Sequence, residues 1–586
     1  MFSLFRRWCA GLSGALIVVS LAMAAYAQVG APSAIPDSFR QPGAPSPLSP
    51  NYLPPETPRF KVPDTVLPPG DDRRATSNPD LLFRLEAVNI QGSTVFTQAD
   101  YEPIVQKYLG REISSADLQD LRFELTRLYV DKGYITSGVV LPDQDVVGGT
   151  VTFAAIEGRV TEIEISGNAH LATKFIQWRL ERGLTPPLNV KTLESQIQIL
   201  LQSPFIERIN AELRPGVNLG KGTLVVLISE KSRLAGSVVA ANDRSPSVDG
   251  EHAVAQATVR DLTGWGDSIS VLYGETQGLI ERGASFSIPI SSSDTTFGAS
   301  INTSESKVIE EPLRILDVRS QNKEYEFNLT HPFYRTPSKE FSGTVSLARK
   351  RSETFLLGRS FSFTNGRESN VTDITVIQLT QNWSDRGRDQ ALALRSSFSF
   401  GLSMFGADAA GTEANGKFEA WLGQAQWARR YDVWLNPEVI AKIDLQIANG
   451  PLPSIERFSM GGLNSVRGYR VNQLVLDQGI VASVEPRLRL FSLRVPWVSK
   501  FAEDGVVRLA PFVDFGYGNN KKNRDAVDAG QPPQRVLISA GVGLIWDINS
   551  SVKVEAYWGR ALDDISAIDH DMQDEGLHFR ITAAAF

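Results

Sequence analysis

Arg467 stands in the pentapeptide Ser465-Val466-Arg467-Gly468-Tyr469, inside a glycine-rich, strand-poor stretch between two segments that alternate apolar and polar residues. That setting reads as a loop tip carrying one placed guanidinium. A guanidinium that leaves bulk water needs a carboxylate, best held through two parallel N–H donors. Phe512-Val513-Asp514-Phe515-Gly516 offers such a group inside a strand pattern. In that pattern Leu509, Val513 and Phe515 share one face, so Phe512, Asp514 and Gly516 share the other. Across 483–490, Val484, Leu488 and Leu490 fall on one face and Glu485, Arg487 and Arg489 on the opposite one. Two acids are therefore available to Arg467, with Asp514 the first choice of partner and Glu485 the alternative. The plain reading is that Arg467 is one more solvated loop charge.

The chemistry on offer is ion pairing rather than catalysis. Gly216 to Lys221 approximates a phosphate loop but is one residue short between its glycines and falls in a strand connection. His170, His252, His331, His570 and His578 have no close ligand spacing, and no Gly-x-Ser-x-Gly occurs. No catalytic residue, metal or cofactor is expected.

The elements that must position these residues are strands. From about 233 to 586, helical periodicity gives way to alternation. In 323–330, Tyr325, Phe327 and Leu329 interleave with Glu324, Glu326, Asn328 and Thr330, and in 552–558 Val552, Val554, Ala556 and Trp558 oppose Lys553 and Glu555. At about 10 residues per membrane strand plus a connection, the region accommodates roughly 16 strands. The sequence ends on Phe586, and Leu577, Phe579 and Ile581 run on the opposite parity to it, which predicts a bulge in the last strand.

Upstream the pattern is different. A strand over 83–90 is followed by Gly92 and two helical patterns. Ser114 and Asp117 cap the second, Leu118, Leu121, Leu125 and Leu128 stripe it, and Gly133 ends it. Strands over 135–141 and 149–156 complete the order β-α-α-β-β. Residues 159–231 repeat that order, with strands at 160–166, 206–213 and 222–229 and helices at 173–182 and 190–202. The shared exits Ile90-Gln91-Gly92 and Ile165-Ser166-Gly167 support a tandem repeat with a period of roughly 75 residues.

At the start, Arg6 and Arg7, an apolar run over 10–24 and Ala25-Tyr26-Ala27 read as a secretory signal, the alternative being a membrane anchor. Cys9, the only cysteine, lies inside it, so thiol chemistry and disulfides are excluded from the mature protein. Residues 28–80 are proline-rich and read as an extended linker. The net charge of −7, without a long basic run, argues against nucleic acid as partner. Beyond residue 27 no apolar run reaches the 18 residues of a helical span, whereas a mean hydropathy of −0.13 suits a barrel as well as a soluble protein.

Val466-Arg467-Gly468-Tyr469, then the Phe-x-Asp-x-Gly pattern at Phe512, Asp514 and Gly516, preceded by two β-α-α-β-β repeats, resembles the two-partner secretion transporters over about 81–586. The resemblance implies a signal peptide at 1–27, a linker at 28–80, POTRA domains at 81–157 and 158–231 in the periplasm, and an outer-membrane β-barrel of about 16 antiparallel strands at 232–586. The fold class is thus α+β domains followed by an all-β barrel. It further implies that the loop carrying Arg467 enters the pore and locks to Asp514. The partner would be a large secreted exoprotein of adhesin or haemolysin type, bound unfolded and exported as it folds outside. The transporter itself is expected to be a monomer in outer-membrane lipid and not an enzyme. Members often carry an N-terminal plug helix, and the proline-rich stretch departs from that pattern. A three-stranded POTRA sheet leaves an edge that can add an extended peptide through main-chain hydrogen bonds. An insertase of the same superfamily would carry more repeats, and a porin with binding modules would leave the paired motifs without purpose.

Overall fold

The computed structural model describes residues 52, 59–61, 82–216, 220–362, 370–402, 417–521, 536–562 and 571–585. The signal, most of the linker, His570 and Phe586 lie outside them. Contacts divide the chain into two units, 55–231 with 263–266 in one, and 232–262 with 267–586 in the other.

The smaller unit holds the two repeats. In the first, strands β2 (Phe83–Arg84) and β3 (Ala87–Gln91) precede helix α1 (Gln98–Val105), strand β4 (Glu112–Ile113), helix α2 (Ser115–Asp131) and strands β5 (Gly138–Val140) and β6 (Thr150–Ile156). The single strand expected over 83–90 is thus split at Leu85, whose side chain is buried in the core while β2 leaves to pair with β4. α2 starts where the sequence places it: Ser114 Oγ accepts from the Asp117 amide at 3.2 Å, and the Asp117 carboxylate takes the Ser114 amide at 2.7 Å. Leu118, Leu121 and Leu125 bury against Val151 and Phe153 of the sheet β3-β6-β5.

The second repeat has β7 (Arg159–Ser166), α3 (Thr173–Leu180), α4 (Val190–Leu201), β8 (Ile206–Pro215) and β9 (Lys221–Glu230). Its core joins Phe175, Ile176, Leu193, Ile197, Ile209 and Val226. The sheet has four strands rather than the three expected. β1 (Arg59–Lys61) lies parallel on β8, with Arg59 opposite Asn210 and Lys61 opposite Glu212. Part of the stretch read as structureless linker therefore takes strand form, and it covers the β8 edge that the sequence leaves open. Gly216 donates to the Lys221 carbonyl at 2.8 Å and closes a β8–β9 connection, so the approximate phosphate motif is a hairpin.

The larger unit is a closed antiparallel barrel of sixteen strands, with one two-residue strand, β17 (Arg359–Ser360), hanging on its seventh. The first eight strands are β10 (Leu234–Ala241), β11 (His252–Arg260), β12 (Ser268–Glu275), β13 (Leu279–Pro289), β14 (Thr296–Lys307), β15 (Arg319–Arg335), β16 (Lys339–Leu356) and β18 (Val371–Arg386). The last eight are β19 (Gln390–Leu402), β20 (Glu419–Arg430), β21 (Glu438–Ala448), β24 (Gln478–Ser492), β25 (Val506–Asn519), β26 (Val536–Asp547), β27 (Val552–Ala561) and β28 (Leu577–Ala585). β28 pairs with β10 over 580–585 and closes the ring, which leaves no free sheet edge. Outward side chains are apolar and exposed, among them Phe327, Leu329, Val345, Phe398, Val484 and Val513. Alternation thus sorts the wall into a lipid face and a polar lumen. The bulge predicted for the last strand is absent among the described residues: β28 pairs with β27 over 577–583 and with β10 over 580–585 without a register shift.

Candidate functional site

The motif at Arg467 sits in the connection 449–477 between β21 and β24. This loop has a framework of its own. Strands β22 (Phe458–Met460) and β23 (Leu474–Leu476) pair antiparallel, and Phe458, Met460, Val466, Tyr469, Leu474 and Leu476 form one apolar cluster with Val481 and Leu537 of the wall. At the turn, Ser465 Oγ accepts from the Gly461 amide at 2.7 Å and the Val466 carbonyl from Gly462 at 3.0 Å. The tip is therefore presented at a fixed place rather than trailed.

There Arg467 is 6 % exposed and meets both candidate acids, Asp514 at 0 % and Glu485 at 6 %. Nε and Nη2 donate to the two Asp514 oxygens, each at 2.8 Å, and the Arg467 backbone amide adds a third bond to Asp514 at 3.0 Å. Nη1 donates to Glu485, and Nη2 also reaches Ser483 Oγ at 3.0 Å, which in turn donates to Asp514 at 2.6 Å. The guanidinium plane lies 3.7 Å above the Phe512 ring and 5.0 Å from Tyr557. A planar fork with five donors can serve two carboxylates and an aromatic face at once, which a lysine cannot. The sequence treats Asp514 and Glu485 as alternatives, and the geometry joins them.

The neighbouring motif residues fit around this centre. A side chain at Gly516 would press on Val466 Cγ2 at 3.0 Å. Gly468 has φ +85°, and a Cβ there would lie 2.8 Å from the Gly559 carbonyl of β27, so tip and wall touch backbone to backbone. Its amide donates to His578 Nε2 at 3.1 Å. The Tyr469 hydroxyl donates to the Ile538 carbonyl at 2.9 Å and accepts from its amide at 3.2 Å.

The wall has an unusual spot here. Val484 pairs with Val513 and Leu488 with Leu509, an offset that sets Pro486 opposite Pro511, and no ladder pair occurs between them. Two prolines facing each other bring no N–H to the ladder. The gap covers 485–487 and 510–512; Glu485 lies at its edge, and Asp514, paired with Ser483, lies just beyond it.

Pattern reading missed four partners. Tyr557 follows from the parity of β27 and donates to Glu485 at 3.3 Å. His578 follows in the same way from the outward Leu577 and Ile581 of β28, whereas Arg470 and Asp574 carry no such signal. Arg470 pairs with Glu310 and Asp574 from two other loops, and the Val471 amide donates to Gln573 at 2.9 Å, contacts 102–160 residues apart in sequence.

Beside the loop the lumen is open. A cavity of about 580 Å³ is lined by Ser300, Asn302, Thr344, Gln378, Thr380 and Ser399, among other residues of β12 to β21. Several of its hydroxyls and amides pair sideways: Thr330 with Thr344 at 2.8 Å, Gln378 with Ser399 at 3.1 Å, Thr380 with Ser397 at 3.0 Å.

Comparison with known proteins matches both units. A family model described as "POTRA domain, ShlB-type" covers residues 83–158, and one described as "Haemolysin secretion/activation protein ShlB/FhaC/HecB" covers 220–545. The heme/hemopexin transporter protein HuxB of Haemophilus influenzae is 24% identical over 479 residues, which is 79% of this chain and 80% of the relative. The outer membrane transporter CdiB of Escherichia coli is 22% identical over 78% of this chain and 76% of its own length. The solved structure of CdiB from Escherichia coli superposes with a TM-score of 0.64 at 20% identity, covering 87% of this chain and 92% of that one.

Proposed function

The chain belongs to the haemolysin secretion/activation protein family ShlB/FhaC/HecB, and from that premise we propose how its loop and lumen divide the work of two-partner secretion. It is an outer-membrane transporter with a POTRA domain in the periplasm and a β-barrel pore. With β10 leading out of the repeats, odd strands of the ring run outward, and the long connections, 449–477 included, lie at the outer end.

In this reading residues 1–27 are a cleaved signal, 28–80 a linker, 81–157 and 158–231 two POTRA domains and 232–586 the barrel. The cargo is a large exoprotein that reaches the POTRA domains unfolded and leaves through the barrel of a single transporter. Val466, Arg467, Gly468 and Tyr469 form a lock on the pore loop, received by Phe512, Asp514 and Gly516 with Glu485. The observation that carries this is the guanidinium shared by two buried carboxylates on adjacent strands. Such a pair holds its place strongly while intact, because breaking it strands a charge away from water. It is a device for fixing one resting position, and nothing in it acts on a covalent bond.

The test is export in cells that co-express the chain with a candidate large exoprotein. Arg467→Ala should insert normally, seen as heat-dependent gel migration of a folded barrel, and should lose most secretion. Undiminished secretion by that variant would exclude the lock.

A further inference from the structure

The motif occupies only the tip of the loop, and the limb that leads to it is built on other principles. Leu452 is fully buried and packs, with Ile455 beside it, against Ile374 and Val376 of β18 and Phe418 before β20. Further down the same face of β18 stand Gln378, Thr380 and Asn382, which line the open lumen. Two aliphatic residues at the outer end of an otherwise polar inward face are stable there because apolar side chains cover them.

Next to this seal the Glu456 carboxylate lies 2.8 Å from Lys350 Nζ, and Lys350 Nζ is 3.5 Å from Glu324. Lys350 and Glu324 are cross-strand neighbours on β16 and β15, the seventh and sixth strands of the ring. The loop itself leaves the eleventh strand and returns to the twelfth. Its first limb is therefore drawn around the outer mouth to a distant part of the wall. At its base Leu452 N donates to Asp477 at 2.9 Å and Gln446 Nε2 to the Glu456 carbonyl at 3.1 Å. Ile455, Glu456 and Lys350 all border the cavity of about 580 Å³, whereas Arg467 is bound to β24 and β25.

We propose that residues 452–456 are an exit gate over the open half of the lumen, closed by Lys350 and separate from the lock at Arg467. The proposal rests on the transport reading above and names which part of the loop an extended polypeptide displaces as it leaves. The apolar contacts exclude water and ions. The two side chains are 26% and 12% exposed beside the open lumen, so both charges can regain water when the limb moves aside, which makes the pair a reversible hold. Lys350 is a positioning residue: it acts through Glu456 on the limb.

The test uses the purified full-length protein in planar lipid bilayers with no partner present. Lys350→Gln and Glu456→Gln should each raise the open fraction about two- to fivefold, the range that loss of one modest ion pair gives to a two-state equilibrium. Lys350→Arg should stay near the wild-type value. The idea is overturned if both glutamine variants, shown to be folded by heat-dependent migration, conduct like the wild type. It is equally overturned if Lys350→Gln leaks while Glu456→Gln does not, or if Lys350→Arg leaks as much as Lys350→Gln, because either result assigns the lysine to wall packing. Failure of the transport reading would appear elsewhere, as absence of export by the wild-type chain in cells, with the bilayer result intact.

Discussion

Where β24 to β28 face the lumen, the inward side chains include Glu485, Asp514, Tyr557 and His578, and all four touch the tip of loop 449–477. Where β14 to β19 face it, they include Ser300, Asn302, Thr344, Gln378 and Thr380, and they line open space. The first region concentrates charge and removes it from water, so each contact is expensive to break. The second spreads hydroxyls and amides, several of them paired across strands, among separate charges such as Lys323, Glu326 and Arg395. A chain sliding past them meets many weak, interchangeable partners, which is what conduction requires: attraction enough to enter, too little to be trapped. One barrel thus separates holding from passing by the chemistry of its two walls.

The comparison is broken most severely at Arg467. Arg467→Ala leaves Asp514 buried without its cation, while Glu485 keeps Arg487 at 2.7 Å; the cost to the seated loop is about 3–5 kcal/mol, and every 1.4 kcal/mol is about tenfold in an equilibrium. Secreted partner, measured in the medium, should fall by about tenfold or more while the amount of folded barrel is unchanged. Gly468→Ala comes next, since φ +85° and the Gly559 carbonyl both oppose a Cβ. A strained residue of this kind costs about 1–3 kcal/mol, and protease cleavage within the loop should rise accordingly. Among the acids, Asp514→Asn should reduce secretion more than Glu485→Gln, because Asp514 takes three donors from Arg467. The double exchange Arg467→Asp with Asp514→Arg sharpens this: partial recovery over either single variant marks Asp514 as the main partner, and none moves the weight to Glu485. The smallest effect belongs to the other wall. Thr380→Ala should alter barrel stability by no more than about 0.5 kcal/mol, read from the gel-shift temperature, and leave secretion near normal.

The strand pattern and the repeats were legible because both depend on period. Tyr325, Phe327 and Leu329 alternate in the sequence and all face outward in the barrel. Arg467 and Asp514 were legible as well, from a charge in a glycine-rich turn and the parity of one strand. What stayed hidden was set by distance. Lys350 and Glu456 are ordinary charges until a loop from the eleventh strand reaches the seventh, and Arg470 finds Glu310 and Asp574 only through three separate loops. The choice between Asp514 and Glu485 could not be made from parity because a guanidinium fork satisfies both. β1 was missed for a further reason: three residues carry no period, and Arg59–Lys61 is a strand only because β8 offers an edge.

The facing prolines, Pro486 and Pro511, give the arginine a second consequence. A sheet resists shear through its ladder, and here the ladder is interrupted between the two strands that carry Glu485 and Asp514. Arg467 ties the two strands together at the edge of that interruption, with Nη1 on one strand and Nε on the next. It therefore stiffens the wall as a rivet stiffens two plates across a seam. Withdrawing the loop softens the barrel at that seam, so the elasticity of the pore is coupled to the position of its loop.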